Sequence, residues 1–197
     1  MNVQPVVLEG PALRLEPLAR EHADLLWPKA DPEIFRYSLE PPRDASREAF
    51  EDWVRYCLTA PASALWTLFE KATGEAVGMS GYLEIRPPHR GLEVGRTWIA
   101  RSHQGTRVNP ESKYLLLRHA FEDLGALRVQ LKTDLNNLHS QRAIEKLGAK
   151  REGVLRRYQK RTNGTMRDTV TYSILAEEWP EVKAGLKARL AGTPARA

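Results

Sequence analysis

A polar loop that runs into an amphipathic helix is the stretch of this sequence best suited to bind an anion. The loop, residues 103–109, reads His-Gln-Gly-Thr-Arg-Val-Asn. Asn109 is a favourable N-cap, and Pro110 suits the first helical position because it has no N–H to leave unpaired. The N–H groups of the loop would then lie at the positive end of a helix, where phosphates commonly bind. An ordinary helix start with solvated charges is the alternative. Nearby positive charge comes from Arg101, His103, Arg107 and Lys113.

The composition is that of one globular domain. The 197 residues are 42% hydrophobic and 28% charged, which is ample for a core. No apolar run approaches the roughly 20 residues of a membrane helix, and no secretory signal is visible at the N-terminus. Cys57 is the only cysteine, and the five histidines lack metal-ligand spacing. We therefore predict a cytoplasmic, metal-free protein. Its exposed Trp and Tyr content permits a homodimer without indicating one.

Positive charge is concentrated in one part of the chain. The net charge is +5, and residues 142–161 hold eight Lys or Arg against two acids. Such a strip could bind a polyphosphate ligand or RNA, or it could simply be a solvated face. No aromatic-rich RNA motif is interleaved with the charges, which counts against nucleic acid. A nucleotide hydrolase is excluded because no Gly-Lys-Ser/Thr phosphate loop occurs.

The elements around the loop follow from hydrophobic periodicity. Alternation predicts strands at 13–18, 65–70, 76–85 and 92–99, which form an antiparallel meander. Short helices are predicted at 20–27 and from Asp44 or Ser46 to about 58. In the fourth strand, Leu92, Val94, Arg96 and Trp98 are expected on one face. The helix after the loop should bury one face, made of Tyr114, Leu116, Leu117, Ala120, Phe121 and Leu124.

The second half of the chain predicts a crossover. A strand at 128–133 follows the helix, so strands four and five should be parallel. A short helix at 140–147, strands from about 150 and around 170–174, and a closing helix from 178 complete the order, with a frayed tail at 192–197.

With this order in hand, five segments together resemble the GCN5-related N-acetyltransferase (GNAT) superfamily, and most closely its ribosomal-protein N-terminal acetyltransferase branch. The resemblance covers about residues 9–180 of a single 1–197 domain, with the closing helix at 178–190. It implies an α+β fold: a mixed sheet of about seven strands, mostly antiparallel, with strands four and five parallel and splayed, flanked by helices. The segments are Leu92-Glu93-Val94-Gly95, Gln104–Asn109, Asn137–Ala143, Lys146-Leu147-Gly148-Ala149 and Glu152-Gly153-Val154.

The resemblance implies acetyl-coenzyme A. The family's pyrophosphate loop is Gln/Arg-x-x-Gly-x-Gly/Ala, and Gln104 begins the matching segment. Arg107 and Asn109 stand where the two glycines are expected; Arg107 offers a charged side chain in place of close backbone approach. The pantetheine arm should pair with the fourth strand, and Asn137 should bond its amides or cap the helix. The implied binding residues are Trp98, Ile99, Ala100, His103, Gln104, Gly105, Thr106, Arg107, Val108, Asn109, Asn137 and Ser140.

Acetyl transfer needs a neutral amine, a donor for the oxyanion and a proton for the departing thiolate. The resemblance points to Ser140 beside the thioester sulfur, although it could merely start a helix. Glu93 could draw a proton through water, or be a surface carboxylate. Tyr158 and Tyr172 are further candidates near the acceptor. Branch members can carry a glutamate near Tyr158, which this chain lacks, so water could serve as the base, or a base could be unnecessary.

The sequence does not identify the amine that accepts the acetyl group. A protein N-terminal amine, such as that of a ribosomal protein, is preferred because its pKa of about 8 leaves it partly neutral. A small-molecule amine, such as an antibiotic or polyamine, is the alternative; basic surface near the site would disfavour a polycation. The alternative from a different functional class is a binding module for coenzyme A or RNA that catalyses no reaction.

Overall fold

One mixed sheet of eight strands organises the molecule in the computed structural model, which describes residues 1–192. The spatial order is β1-β2-β3-β4-β5-β6-β8-β7, with β5 and β6 parallel and every other pair antiparallel. This confirms the predicted α+β architecture, with one strand more than the seven expected. The strands are β1 (Leu8–Glu9), β2 (Leu13–Pro17), β3 (Ala64–Glu70), β4 (Ala76–Arg86), β5 (Gly91–Ile99), β6 (Arg128–Asp134), β7 (Lys150–Lys160) and β8 (Met166–Leu175).

Five α-helices flank the sheet: α1 (His22–Leu26), α2 (Arg47–Thr59), α3 (Val108–Arg118), α4 (Leu138–Glu145) and α5 (Trp179–Ala191). The Ser46 hydroxyl caps α2 by accepting from the Ala49 N–H at 3.2 Å. A π-helical turn, His119–Asp123, extends α3, and Gly125 ends the segment with φ +63°. In the part of the chain that the structure describes, no helix is long and apolar enough to cross a membrane. The predicted frayed end falls almost wholly on residues 193–197, outside the described range.

The two faces of the sheet carry separate cores. Trp66 and Leu68 of β3 pack with Leu115 and Leu116 of α3, whereas the alternate residue Leu65 contributes to a second core. The second core includes residues of α1 and α2, namely Ala23, Leu26, Phe50, Trp53, Val54 and Cys57. Because successive residues of a strand point to opposite faces, helices cover both sides of the central strands.

The start of α3 differs from the prediction, and this changes the anion loop. The helix begins at Val108 with Arg107 as N-cap residue, so the assignment of Asn109 as N-cap and Pro110 as first residue is wrong. The Thr106 hydroxyl accepts from the Val108 N–H at 3.3 Å, which lets the helix start earlier. Pro110 still lies in the first turn, where its missing N–H needs no acceptor. Burial also extends nearly round α3, beyond the single face predicted.

A bulge in β5 breaks the alternation expected there. The register with β4 shifts between Met79 and Gly81, opposite Arg96, which has φ +49°. As a result Leu92 and Val94 belong to the α3 core, whereas Trp98 joins the α2 core. The prediction that these three residues share a face is therefore wrong, because an extra residue reverses the side-chain direction beyond it.

Candidate functional site

The parallel strands β5 and β6 separate soon after they begin. Their pairing is confined to Gly91–Glu93 against Arg128–Gln130, although β5 continues to Ile99 and β6 to Asp134. The edge of β5 beyond Glu93 that faces β6 therefore has no strand partner and can pair with an extended ligand. We call this opening the β5–β6 cleft. It is the splayed parallel pair that the sequence predicted.

The loop after β5 presents a group of open donors at the end of the cleft. Gly105 adopts φ +75°, a conformation that favours glycine. Within residues 1–192, the main-chain N–H groups of Gly105, Thr106, Arg107 and Asn109 have no acceptor. The Gln104 side chain fixes the loop by donating to the Ile99 carbonyl at 3.1 Å. Four open donors at a helix N-terminus form an anion site of the kind that binds phosphate.

The side chain of Arg107 turns into the protein. Its Nε donates to Glu111 Oε2 at 2.9 Å, and the Glu111 side chain is fully buried. Glu111 Oε1 accepts from the N–H groups of Ala12 and Leu13 at 2.7 and 2.9 Å. This contact holds the loop and α3 to the start of β2. The sequence predicted that the Arg107 side chain would attract phosphate. In this structure the side chain forms an internal ion pair with Glu111.

His103 is likewise turned inward. It is buried, its Nδ1 lies 2.9 Å from the Ser102 hydroxyl, and its Nε2 lies 3.8 Å from Glu70 Oε2. Its contribution at the loop is therefore through the main chain, which continues the short turn to Gln104.

Glu93 is a buried carboxylate at the point where the strands separate. Lys132 of β6 lies 3.0 Å from Glu93 Oε2, and Gln130 donates to the same oxygen at 3.2 Å. Burial raises the pKa of Glu93, and the positive charge of Lys132 opposes that rise. A carboxylate with a raised pKa beside an opening is suited to act as a general base. Its sequence alternative, a surface carboxylate, does not match this burial.

The two tyrosine candidates lie in different places. The ring of Tyr158 on β7 is 5.3 Å from Lys132 Nζ, so one lysine joins it to Glu93. Tyr158 is exposed. Tyr172 is fully buried in the α3 core and its hydroxyl lies 3.1 Å from Glu145 Oε1. The structure brings Tyr158 towards the cleft and places Tyr172 in the core.

The first turn of α4 lies at the same end of the sheet as the anion loop, because both follow the carboxyl ends of parallel strands. This helix starts at Leu138, two residues earlier than predicted, with Asn137 as N-cap. Asn137 Oδ1 accepts from the Ser140 N–H at 3.0 Å, so only its side-chain N–H groups are left for a ligand. Ser140 is half-buried, and its hydroxyl has no partner in the described part of the chain. It is free to donate.

Lys113 lies in a different environment from the one predicted, which was the charged surface near the loop. Rather than adding charge to the loop surface, its amine is buried and hydrogen-bonded to Thr97 and, at 2.9 Å, to Ser80. Burial lowers the pKa of Lys113 to about 7. The sequence carried no signal for this burial, which results from the covering of α3 on nearly all sides.

The splayed parallel pair, the anion loop at its end and the two flanking helix starts define an acetyltransferase of GNAT type. The chain belongs to that family: the family model described as an acetyltransferase (GNAT) domain matches residues 12–150. This confirms the family resemblance seen in the sequence.

Several relatives carry the same assignment. The chain is 28% identical over 173 residues to the uncharacterized N-acetyltransferase p20 of Bacillus licheniformis, covering 85% of this chain and 94% of that one. A candidate ribosomal N-acetyltransferase, YdaF of Bacillus subtilis, is 31% identical over 106 residues, covering 54% and 57%. A crystal structure of a GCN5-related N-acetyltransferase from Brucella melitensis aligns with TM-score 0.89 and 28% identity, covering 96% and 87%.

Proposed function

We propose that this chain transfers the acetyl group of acetyl-coenzyme A to a primary amine, by direct attack within a ternary complex. One observation carries the proposal: an unpaired edge of β5 leads to a loop whose N–H groups lack acceptors. An extended pantetheine arm and a diphosphate are the two chemical partners that such a pair of features fits. Membership of the GNAT family supplies the activated acetyl group as the expected donor.

The residues of the cleft fit this donor. Main-chain groups of Trp98 and Ile99 would pair with the arm, and residues 103–109 would hold the diphosphate. Ala100 is less suited to this role, because its N–H donates to the Val77 carbonyl and its carbonyl accepts from the His103 N–H. Arg107 has φ −69° and ψ −14°, a helical conformation that needs no glycine, and its side chain is held away by Glu111. Arg107, which stands in place of the family's first loop glycine, therefore does not block the main-chain N–H groups of the loop. The side-chain N–H groups of Asn137 add a donor on the α4 side.

The residues of this chain would transfer protons while the amine attacks the thioester: one residue accepts the proton of the amine, and another donates to the leaving sulfur. Acetyl-coenzyme A, when bound, supplies a thioester carbonyl whose C–S bond breaks as the amine nitrogen forms the amide bond. Glu93 takes the amine's proton through water, and the Ser140 hydroxyl donates to the leaving sulfur. Tyr158 lies beside this region and completes the set of candidates. Cys57 is not needed as a nucleophile; burial raises the pKa of its thiol.

For the acceptor we favour a protein N-terminal amine. Such an amine is partly neutral at pH 7, and the candidate ribosomal N-acetyltransferase of Bacillus subtilis is among the relatives. A spermidine N-acetyltransferase from Vibrio cholerae, solved with coenzyme A and spermine, shares the fold at TM-score 0.71 and 22% identity, which carries no argument for a polyamine.

Two measurements test the proposal. Coenzyme A should raise the melting temperature in a titration because it binds only the folded state. Acetyl-coenzyme A with an N-terminal peptide should release free thiol and acetylated peptide. No thermal shift at millimolar coenzyme A would reject the donor site. Binding without release of thiol, for any amine in a panel of peptides and polyamines, would instead indicate a non-catalytic module.

Ser140→Ala separates the role of the hydroxyl from that of the helix start. The main-chain N–H of Ser140, which bonds to Asn137, is kept in this variant. We expect kcat to fall at least about tenfold while the Kd for coenzyme A changes little. A rate equal to that of the wild type would remove Ser140 from the chemistry.

A further inference from the structure

A second opening lies across the end of the β5–β6 cleft, between the segment before α2 and the β7–β8 hairpin. Its volume is about 290 Å³. The floor is apolar, with Trp27, Phe35, Phe50 and Pro41 among its residues, and three arginines line it: Arg36, Arg43 and Arg161. We call it the arginine-lined pocket.

Contacts to both strands of the cleft fix the position of this pocket. Phe35 and Phe50 pack on Trp98 of β5, with ring centroids 5.6 and 6.1 Å apart. On the other side, the Arg161 guanidinium is paired with Asp134, the last residue of β6. Through these residues the pocket therefore contacts both of the strands whose separation forms the cleft that we assign to the acetyl donor.

The charge of the pocket lining is positive. Asp44 is its only acidic lining residue within the described chain, and it is paired with Arg43 at 3.2 Å. Arg161 has its own partner in Asp134. Arg36 is exposed, lies 5.6 Å from the centroid of the Tyr37 ring and has no carboxylate partner in residues 1–192. One guanidinium is thus left with its charge uncompensated at the rim of an apolar pocket.

A buried donor lies next to the same aromatic residues. Trp98 is 4% exposed, and its indole N–H is buried without an acceptor in the described residues. A buried N–H without an acceptor is unfavourable by about 1–3 kcal/mol, so such groups are usually satisfied by a ligand or by water. Trp98 packs against Phe35 and Phe50 but is not among the residues that line the pocket, so the polar recognition of a ligand falls to the arginines.

We propose that the arginine-lined pocket binds the body of the acceptor and selects an amine that carries an apolar group and a carboxylate. This rests on the proposed acetyl transfer and specifies its substrate class. A peptide N-terminus followed by an acidic and an aromatic residue has this chemistry. A polyamine does not, because its positive charges would face Arg36, and like charges repel. The guanidinium fork of Arg36 matches a carboxylate in geometry as well as in charge.

Three amidated peptides that differ at one side chain test this selection. The probes are Ala-Glu-Phe-amide, Ala-Gln-Phe-amide and Ala-Lys-Phe-amide, compared by kcat/KM with saturating acetyl-coenzyme A. We expect the Glu peptide to exceed the Gln peptide about fivefold, with the Lys peptide slowest. In Arg36→Gln the Glu/Gln ratio should fall towards one. Arg55→Gln, an exposed arginine of α2 outside the pocket, is the charge-matched control and should keep the ratio.

The outcomes distinguish this inference from the acetyl transfer on which it rests. Acetylation of all three peptides at equal rates, or fastest for the Lys peptide, would overturn the selection and leave the acetyltransferase proposal intact. Equal loss of the ratio in Arg36→Gln and Arg55→Gln would assign it to overall charge and also overturn the pocket. Coenzyme A binding without acetylation of any of the peptides would reject this substrate class. Failure to bind coenzyme A would instead reject the proposed function.

Discussion

Replacing Lys113 by methionine should stabilise the fold, and should do so most at low pH. The lysine amine is buried among α3, β4 and β5 with two hydroxyls as partners. Those hydroxyls, of Ser80 and Thr97, also bond to each other at 2.7 Å, so removing the amine leaves neither alone. Methionine has a similar length and no charge to desolvate.

The magnitude follows from the pKa. Burial lowers the pKa of Lys113 from 10.5 to about 7, and a difference of that size corresponds to roughly 5 kcal/mol between protonation states. Between these two pKa values the unfolded chain binds more protons than the folded one, so stability rises with pH. The penalty is complete below about pH 7 and disappears above about pH 10.5. From pH 7 to pH 9, the wild type should gain about 2 kcal/mol from this one group.

Urea unfolding of wild type and Lys113→Met at pH 7 and pH 9 measures the effect. The free energy of unfolding of the variant should exceed that of the wild type at both pH values, with the gap about 2 kcal/mol smaller at pH 9. Lys187→Met, which changes an exposed lysine of α5, is the control and should follow the wild-type pH dependence. Parallel pH dependences for wild type and Lys113→Met would refute the reasoning, as would a variant less stable than the wild type at pH 7.

Two further predictions concern the cleft. In Glu93→Gln, kcat should fall about 100-fold; because burial raises the pKa of Glu93, the wild-type rate should decline as pH falls through that raised pKa, and the variant's pH–rate profile should lack this decline. A profile of unchanged shape would exclude Glu93 as the base. Asn137→Ala removes the cap of α4 and should lower the free energy of unfolding by about 1 kcal/mol in urea titrations while weakening coenzyme A binding. Asn137→Asp, which keeps the cap oxygen and loses the side-chain donors, should restore stability alone; restored binding as well would show that the amide does not contact the cofactor.

Periodicity was sufficient for most of the sheet. Alternation predicted β2 to β5 as a meander, and the intervening helix required β5 and β6 to be parallel, which the structure confirms. The splaying of that pair came from the family resemblance instead, because nothing local marks where two strands stop bonding. β1 was missed because a strand of two residues shows no period.

The local errors have local causes. The bulge in β5 is centred on Arg96, which has a positive φ although it is not glycine, so no sequence signal marked it. Its guanidinium is held by Glu40 at 2.9 Å and by Cys57 Sγ at 3.1 Å, contacts from residues that lie far away in sequence. The helix start after the loop was misplaced because α3 begins without a side-chain cap, so the capping preference of Asn109 was a misleading signal.

The candidate site was predictable only in part. Loop residues 103–109 are contiguous, so their joint presence at one place needed no tertiary information. The pairing of Glu93 with Lys132 depends on the register between two strands, and Lys113 could be recognised as buried only once α3 was seen to be covered on nearly every side. The arginine-lined pocket joins residues more than 100 positions apart, which no motif in this chain connects.

The carboxylate of Glu111 links the N-terminal segment to the loop that is proposed to bind the diphosphate. A Cβ at Gly10 would lie 2.5 Å from Glu111 Oε1, so any side chain there must push that oxygen aside. The displacement would pass to Arg107 and then to the amides beside it, some hundred residues along the chain yet one contact away in space. A substitution at Gly10 should accordingly change the affinity for coenzyme A, although the position lies in another part of the sequence from the loop.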